Sequence, residues 1–146
     1  MSPANQHANQ LDITETPATL CLCVASNINL MPRLTGLCTE FLKRLGLGPC
    51  PHAALVVREL VSNAITHGNQ NQLEKKVLLE IVHFGGRNFK IRVEDNGAGF
   101  NHHALNLTIP EDPRRLRQRG LVLVNAVSQA VEFNEAGNAV TAFLNV

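Results

Sequence analysis

The sequence contains no tryptophan and no tyrosine, and aromatic residues make up only 4% of its 146 residues. Aromatic platforms on which nucleic-acid bases stack are therefore scarce. Lysine and arginine number 13 and aspartate and glutamate number 12, so the net charge is +1. Without a broad basic field, we expect neither direct nucleic-acid binding nor attachment to a membrane surface. No apolar run reaches the length of a membrane-spanning helix.

Cysteine is present, but not in the spacing that metal sites require. The four cysteines are Cys21, Cys23, Cys38 and Cys50, and they include no CxxC pair, so we do not expect a structural zinc site. The first residues also lack the charged start and apolar core of a signal peptide. These absences together predict a cytoplasmic protein with reduced thiols.

Hydrophobic periodicity predicts one domain over residues 18–146, preceded by a flexible Asn- and Gln-rich tail over residues 1–17, whose end could form a first edge strand. The predicted order is strand, helix, helix, hairpin, loop, helix and hairpin, which is an α+β fold. In it, helices cover one face of a mixed, mostly antiparallel sheet. The predicted strands lie at 20–24, 77–84, 89–94, 131–134 and 139–146, and the helices at 30–45, 51–68 and 121–131. The long loop between 96 and 118 has a length typical of functional lids.

A strand that ends in an acid and two glycines is the first candidate for chemistry. The alternating run Phe89–Val93 predicts a half-buried strand, and Asp95, Gly97, Gly99 and Phe100 follow it. Glycines let the backbone approach a ligand closely, and the acid supplies a fixed acceptor. An ordinary tight turn has the same composition, so this stretch alone leaves both interpretations open.

The second predicted helix carries a polar stripe. Glu59, Asn63 and His67 are spaced four residues apart, so they lie on one helical face, opposite the apolar residues between them. The amide of Asn63 can offer a hard oxygen to Mg²⁺, and Glu59 can deprotonate a hydroxyl or a water. A solvated stripe on an amphipathic helix would show the same pattern.

An arginine-rich segment, Arg114–Arg119, precedes Gly120 and Leu121 at the predicted start of the third helix. A glycine at that point lets backbone N–H groups face an anion, and the helix dipole favours phosphate there. The arginines could neutralise a polyphosphate. The alternative is a solvated basic loop.

Together the three segments resemble the conserved boxes of the GHKL ATP-binding superfamily, which includes histidine kinases and gyrase. Glu59 and Asn63 resemble its N box, while the segments Asp95–Phe100 and Arg119–Leu121 resemble its two glycine boxes, in the same order and spacing. The resemblance spans roughly residues 18–146. It implies a two-layer α/β sandwich that binds ATP and Mg²⁺.

Within the superfamily the chain most resembles the stand-alone anti-sigma-factor serine/threonine kinases. The phrase Glu-Leu-Val-Ser-Asn-Ala-Ile-Thr-His-Gly, at 59–68, is similar to that group's N box, and the last helix and hairpin are similar too. No dimerisation helix pair with a phosphoacceptor histidine precedes the domain. The resemblance implies a homodimeric, partner-switching regulator that binds a sigma factor or similar protein and phosphorylates a small antagonist protein.

The resemblance also implies a role for each matching residue. Asp95 would accept a hydrogen bond from the adenine amino group, and Gly97 and Gly99 would leave room for base and sugar. Asn63 would hold Mg²⁺, and Glu59 would be the catalytic base for a partner's serine hydroxyl. The other implied ATP contacts are His67, Phe100, Arg117, Arg119, Gly120 and Leu121, beneath a lid formed by residues 101–118.

Two alternatives remain open from the sequence. Gln118 stands where the group's second glycine box has its first glycine, which would suit a catalytically weak, nucleotide-dependent protein-binding module. The other alternative is the ATPase domain of a histidine-kinase relay, which requires a separate partner carrying the acceptor histidine.

Overall fold

The computed structural model describes residues 8–99, 103 and 116–146, the side chains of 116–118 excepted. These residues form a six-stranded sheet and three α-helices. The strands are β1 (Leu11–Glu15), β2 (Thr19–Ala25), β3 (Lys76–Gly85), β4 (Asn88–Glu94), β5 (Ala130–Phe133) and β6 (Ala139–Asn145). The helices are α1 (Met31–Arg44), α2 (Pro51–Asn63) and α3 (Leu116–Val127). A 3-10 turn, Ile28–Leu30, precedes α1, and a π-helical turn, Ala64–Gly68, continues α2.

The sheet has the strand order β1-β2-β3-β4-β6-β5. The predicted α+β class is confirmed, but the sheet is not mixed: all five pairs of neighbouring strands are antiparallel. Three of those pairs are joined by direct hairpins, which only antiparallel strands can form. Three strand ends therefore lie side by side at one end of the sheet: those of β3, β4 and β6 near residues 76, 94 and 139. The end of α2 lies beside them.

One face of the sheet is buried beneath the helices. In β2, Leu20, Leu22 and Val24 are buried, while the alternate residues Cys21 and Cys23 are half-buried on the opposite face. The same alternation runs through β3 and β4, as expected for strands that bury one side. Residues of α1, α2 and α3 pack against this face, so the hydrophobic core lies between the two layers.

The sheet begins with an edge strand, β1, which the sequence left open as an alternative at the end of the tail. Strand β1 lies inside the predicted flexible tail and pairs with β2 from Leu11 opposite Val24 to Glu15 opposite Leu20. Only Leu11 of β1 is even half-buried, so the strand carries almost no apolar alternation. Its position is fixed by backbone pairing with β2, and Arg44 at the end of α1 also pairs with Glu15.

The third helix lies further towards the N-terminus than the predicted 121–131. It begins at Leu116, since leucine, arginine and glutamine are good helix formers that extend it backwards. It ends at Val127 because strand β5 follows, and in β5 Val131 and Phe133 pair with residues of β6. Consequently Gly120 lies in the second turn of α3, not at its start.

All four cysteines are free thiols. Burial raises the pKa of the Cys38 thiol to about 12, so this residue behaves as a small apolar core residue. Burial, and then the nearby Glu80 carboxylate and Cys23, raise the pKa of Cys21. In the part of the chain that the structure describes, no helix is long and apolar enough to cross a membrane.

The packing of α1 on the sheet predicts a large effect of shortening Leu34, which is 0% exposed. Replacing it (Leu34→Ala) should lower the free energy of unfolding by about 2–5 kcal/mol, because it removes buried methyl groups and leaves a cavity. Urea unfolding measures this change. Thr39→Ala on the exposed side of the same helix should change it by no more than about 0.5 kcal/mol. Equal effects would contradict the assigned core face of α1.

Candidate functional site

The polar stripe of α2 faces a cleft between α2 and α3. This cleft, here called the Glu59 cleft, has a volume of about 370 Å³. It is lined by Glu59, Ser62, Asn63, Thr66 and His67 from α2 and the π-helical turn, and by Arg119, Gly120 and Leu123 from α3. The structure thus brings together five residues that the sequence analysis named as site residues. Of the two interpretations of the stripe, the structure favours a site over a fully solvated face.

Helix α2 presents this stripe because its other side is strongly apolar. Pro51 starts the helix in the first turn, where its missing N–H has no consequence. Val57, Leu60 and Val61 are then buried against the sheet, which leaves Glu59 on the half-buried flank that faces α3. The side chains of a regular helix are well fixed, so this scaffold orients Glu59 and Asn63 relative to each other.

Gly120 allows α3 to approach the Glu59 carboxylate closely. A Cβ at Gly120 would lie 2.5 Å from Glu59 Oε2 and 3.5 Å from Asn63 Nδ2. The sequence prediction that the Gly120 N–H faces an anion at a helix start is wrong. Only the first four N–H groups of a helix lack internal partners, and that of Gly120 is the fifth in α3. The glycine instead leaves space for the acid on α2.

Asp95 is a buried carboxylate at the end of β4, with 5% of its surface exposed. Its Oδ1 accepts a hydrogen bond from the Gly97 N–H at 2.7 Å. It borders a small, mainly apolar cavity of about 10 Å³, here called the central cavity. The central cavity is lined by Leu60, Asn63, Ala64, Val93, Asp95, Leu121, Gly137, Asn138 and Val140. Asn63 lines both spaces, so the central cavity adjoins the Glu59 cleft.

Asp95 also lines a second open space, here called the Asp95 groove, of about 480 Å³. The groove is lined by Cys23, Lys76, Leu78, Glu94, Asp95, Asn96, Gly97 and Asn138. Asp95 and Asn138 therefore border both the groove and the central cavity.

The glycines around Asp95 leave room for protein backbone. A Cβ at Gly68 would overlap the Asp95 carboxylate, and a Cβ at Gly97 would overlap the Gly68 carbonyl oxygen. At Gly99, where φ is +83°, a Cβ would collide with the Ala136 carbonyl oxygen. In this structure the close neighbours of Gly97 and Gly99 are the backbones of Gly68 and Ala136, and the approach of base and sugar to these glycines stays a prediction.

Two asparagines near Asp95 were not predicted from the sequence as site residues. Asn138 accepts the Asp95 N–H with its backbone oxygen at 2.9 Å and donates from Nδ2 to the Asp95 oxygen at 3.0 Å. Asn69 is completely buried and bonds to the Asn96 N–H at 2.8 Å. Both residues follow a glycine in a turn, where asparagine is ordinary. The local pattern therefore did not distinguish them, since their partners are 43 and 27 residues away.

The remaining predicted site residues divide between described and undescribed parts of the chain. Arg119 is exposed at the Glu59 cleft, and Leu121 is buried in the wall of the central cavity. Phe100 and the lid, apart from His103 and the backbone of 116–118, lie outside the described residues. For Arg117 the structure describes only the backbone, in the first turn of α3.

Among the described side chains, no group of three or more histidines, cysteines, aspartates or glutamates could hold a metal ion. A dedicated all-protein cage is not what Mg²⁺ requires, because it commonly takes one or two protein ligands together with waters and substrate phosphates. The Glu59 carboxylate and the Asn63 amide oxygen are hard donors on one wall of an open cleft. This donor set fits a magnesium ion carried in with phosphates.

Comparison with protein families decides the family of the chain. The model of the histidine kinase-like ATPase domain matches residues 11–144. The chain belongs to this family. The match begins at the first residue of β1, covers the three helices and the first five strands, and ends one residue before the end of β6. No individually curated protein matched the chain.

A histidine kinase-like ATPase domain binds ATP, and the site can be compared with that ligand. The Glu59 cleft has a volume within the usual range of ligand pockets, roughly 300–1,000 Å³. The central cavity has mainly apolar walls and the buried Asp95 carboxylate as an acceptor, a combination that suits a nucleobase edge. Its volume of about 10 Å³ is smaller than a base, so a base can enter only when these walls move apart.

The contact between Gly120 and Glu59 predicts that one substitution can weaken ATP binding without lowering the free energy of unfolding. Gly120→Ala places a methyl group against a flexible carboxylate, while alanine in a helix is favoured over glycine by about 0.5–1 kcal/mol. We expect unchanged or slightly higher stability in urea, and weaker ATP binding by calorimetry because the added methyl group narrows the Glu59 cleft beside Asn63.

Gly36→Ala is the matched control for this variant. Gly36 lies in α1, and a methyl group added there would meet no other side chain or element within 4 Å. The same substitution should therefore stabilise the helix and leave ATP affinity unchanged. Wild-type ATP affinity in Gly120→Ala would show that the close approach of α3 to Glu59 has no part in the nucleotide site.

Proposed function

We propose that this protein is an ATP-dependent serine/threonine protein kinase that acts as an anti-sigma factor or a similar partner-switching regulator. The observation that carries the proposal is the placement of the Glu59 carboxylate. It shares an open cleft with Asn63, and that cleft adjoins the cavity beside Asp95. A base for a hydroxyl, a ligand for Mg²⁺ and an acceptor for adenine thus lie in consecutive spaces.

Each residue has a separate role in this proposal. Asp95 accepts a hydrogen bond from the adenine amino group, and its burial makes that interaction selective because a base without a donor at that point would face the buried carboxylate with no hydrogen bond to it. Asn63, between the two spaces, holds Mg²⁺ near the phosphates. Arg119 is exposed on the opposite wall of the Glu59 cleft, where it supplies positive charge.

Glu59 is the proposed general base. It removes the proton from the serine hydroxyl of a partner protein, and the openness of the cleft between α2 and α3 gives that side chain access. Mg-ATP, when bound, would supply the γ-phosphoryl group with ADP as the leaving group, and its metal ion would neutralise charge on the phosphates. Phosphoryl transfer depends mainly on positioning and electrostatics, which is the work of the fixed groups on α2.

The proposed protein substrate is a small antagonist protein with an accessible serine, and the second partner is a sigma factor or a comparable regulator. These assignments, and a homodimeric state, are supported by the similarity of the segment 59–68 to the N box of the anti-sigma-factor kinases. A histidine as phosphoacceptor would instead require a relay partner. Serine is favoured as the phosphoacceptor because its hydroxyl carries a proton that a carboxylate base at Glu59 can remove.

Replacement of the proposed base tests the kinase role. Glu59→Gln keeps the size of the side chain but cannot take a proton, so phosphoryl transfer should fall by about 100-fold or more while ATP affinity stays within a few-fold. The partner is recovered by affinity capture with Mg-ATP, and transfer is then measured with ATP labelled on its γ-phosphate.

Glu40→Gln, on the exposed side of α1, is the charge-matched control and should transfer phosphate like the wild type. Undiminished transfer by Glu59→Gln would refute the assigned base. Labelling of histidine in place of serine or threonine, shown by its loss in mild acid, would refute the proposed substrate class.

The selectivity of the site for adenine is tested at Asp95. Asp95→Asn retains an oxygen for the Gly97 N–H but can present a donor where adenine needs an acceptor. The ratio of ATP to GTP affinity, measured by calorimetry, should fall by about tenfold or more. Asp12→Asn on the exposed β1 carries the same charge change and should leave the ratio unaltered. A preserved ratio in Asp95→Asn would remove Asp95 from base recognition.

One observation favours a second function, a nucleotide-dependent protein-binding module without phosphoryl transfer. Gly120 lies in the second turn of α3, so its N–H is not available for phosphate. The same affinity capture followed by labelled ATP separates the two functions. A module would hold its partner only with nucleotide and leave it unlabelled.

A further inference from the structure

Asn69 is a polar residue with 0% of its surface exposed. Its side chain makes three hydrogen bonds: Oδ1 accepts from the Asn96 N–H at 2.8 Å, and Nδ2 donates to Ser26 Oγ at 2.8 Å and to the Lys76 oxygen at 2.9 Å. An amide has two donors and one acceptor oxygen, so each of these groups is used. The residue joins the end of α2, the start of β3 and the turn after β4.

The turn after β4 is tied to β3 a second time. The Asn96 side chain accepts a hydrogen bond from the Lys76 N–H at 2.7 Å. Asn69 Oδ1 thus accepts from the N–H of Asn96, and Asn96 Oδ1 accepts from the N–H of Lys76. The connection before β3 and the turn after β4 are therefore bonded in both directions. The Ser26 hydroxyl donates to the Lys75 carbonyl oxygen at 2.7 Å. This bond fixes the position of Ser26, which accepts from Asn69.

These bonds meet at one peptide group. The peptide between Asp95 and Asn96 offers its N–H to Asn69 at 2.8 Å and its carbonyl oxygen to the Asn138 side chain at 3.0 Å. Two amide side chains from different connections therefore hold opposite edges of the same peptide plane. This peptide leads directly to Gly97, whose N–H donates to Asp95 Oδ1, so fixing the plane also fixes the donor that orients the Asp95 carboxylate.

We infer that Asn69 is a positioning residue for Asp95, which fixes the direction of its carboxylate for recognition of the adenine amino group. The inference rests on the proposed role of Asp95 in reading the base. Asn69 does not line the Glu59 cleft, the central cavity or the Asp95 groove, so it acts through the Asp95–Asn96 peptide. Nucleotide selectivity then depends on the connection between α2 and β3 as well as on the end of β4.

The π-helical turn supplies the reason that Asn69 can reach this peptide. The Asn69 N–H donates to the Ala64 oxygen at 2.8 Å, five residues back, and the Asn71 N–H donates to the Ile65 oxygen at 2.8 Å. The wider turn carries the backbone off the helical path after Asn63. It places the Asn69 side chain between β3 and the turn after β4.

The test measures the ratio of ATP to GTP affinity in Asn69→Ala by calorimetry. Without the bond to the Asn96 N–H, the Asp95 carboxylate is no longer aligned, and ATP should bind about tenfold more weakly. GTP lacks the amino group that Asp95 reads, so its affinity should change by no more than about twofold. The expected result is a drop in the ratio, which a purely structural role would not produce.

Leu34→Ala is the control for stability. It also weakens the fold, but at a core position in α1 that has no link to Asp95, so the ratio should remain that of the wild type. If Asn69→Ala does not fold, Asn96→Ala removes only the bond from an exposed side chain to the Lys76 N–H. It should lower the ratio in the same direction, by a smaller factor.

The outcomes separate this inference from the proposed function. If Asp95→Asn abolishes the preference for ATP but Asn69→Ala and Asn96→Ala both retain it, the positioning role is refuted and base recognition by Asp95 stands. If the wild type does not prefer ATP to GTP, or if Asp95→Asn keeps the preference, the proposed role of Asp95 fails and the inference fails with it. An equal drop of the ratio in Leu34→Ala would also overturn the inference.

Discussion

The end of α2 and the turn after β4 touch through glycines, and this steric constraint sets the geometry of the site. A side chain at Gly68 would overlap the Asp95 carboxylate, and one at Gly97 would overlap the Gly68 carbonyl oxygen. Because neither residue has a side chain, the helix end can cover Asp95 and leave it only 5% exposed. Burial of a carboxylate is unfavourable unless it is hydrogen-bonded, and the Gly97 N–H provides one such bond.

The same helix then carries the other groups to the correct distance. Once Gly68 is fixed against Asp95, the rigid geometry of α2 places Asn63 beside the central cavity and Glu59 one turn further away. Gly120 allows α3 to close the opposite wall without displacing the Glu59 carboxylate. Glycines thus bring three elements together, while the acidic and amide groups that bear on function are supplied by α2 and β4.

Much of this arrangement could be predicted from the sequence, because it is encoded in local patterns. The spacing of Glu59, Asn63 and His67 predicts a shared helical face, and all three line one cleft. The alternation in 77–94 predicts the central hairpin, and β3 and β4 occupy that region. The match of the family model to residues 11–144 confirms the resemblance to the GHKL superfamily.

The remainder depends on contacts between residues that are distant in sequence. Strand β1 has four exposed residues out of five, so its apolar pattern could not identify it. The role of Asn69 depends on Ser26 and Asn96, which only the folded chain brings near it. The start of α3 was misplaced because Gly120 resembled a helix N-terminus, whereas its lack of a side chain serves the contact with Glu59.

The π-helical turn after α2 makes the length of the chain there as important as its composition. Between Asn63 and Asn69 the backbone contains one wide turn, and each residue of a helix advances the side-chain direction by about 100°. Loss or gain of a single residue in this segment would turn Asn69 away from Ser26 and Asn96, whatever side chains remained. The number of residues in this segment is therefore constrained as strictly as the glycine that ends it.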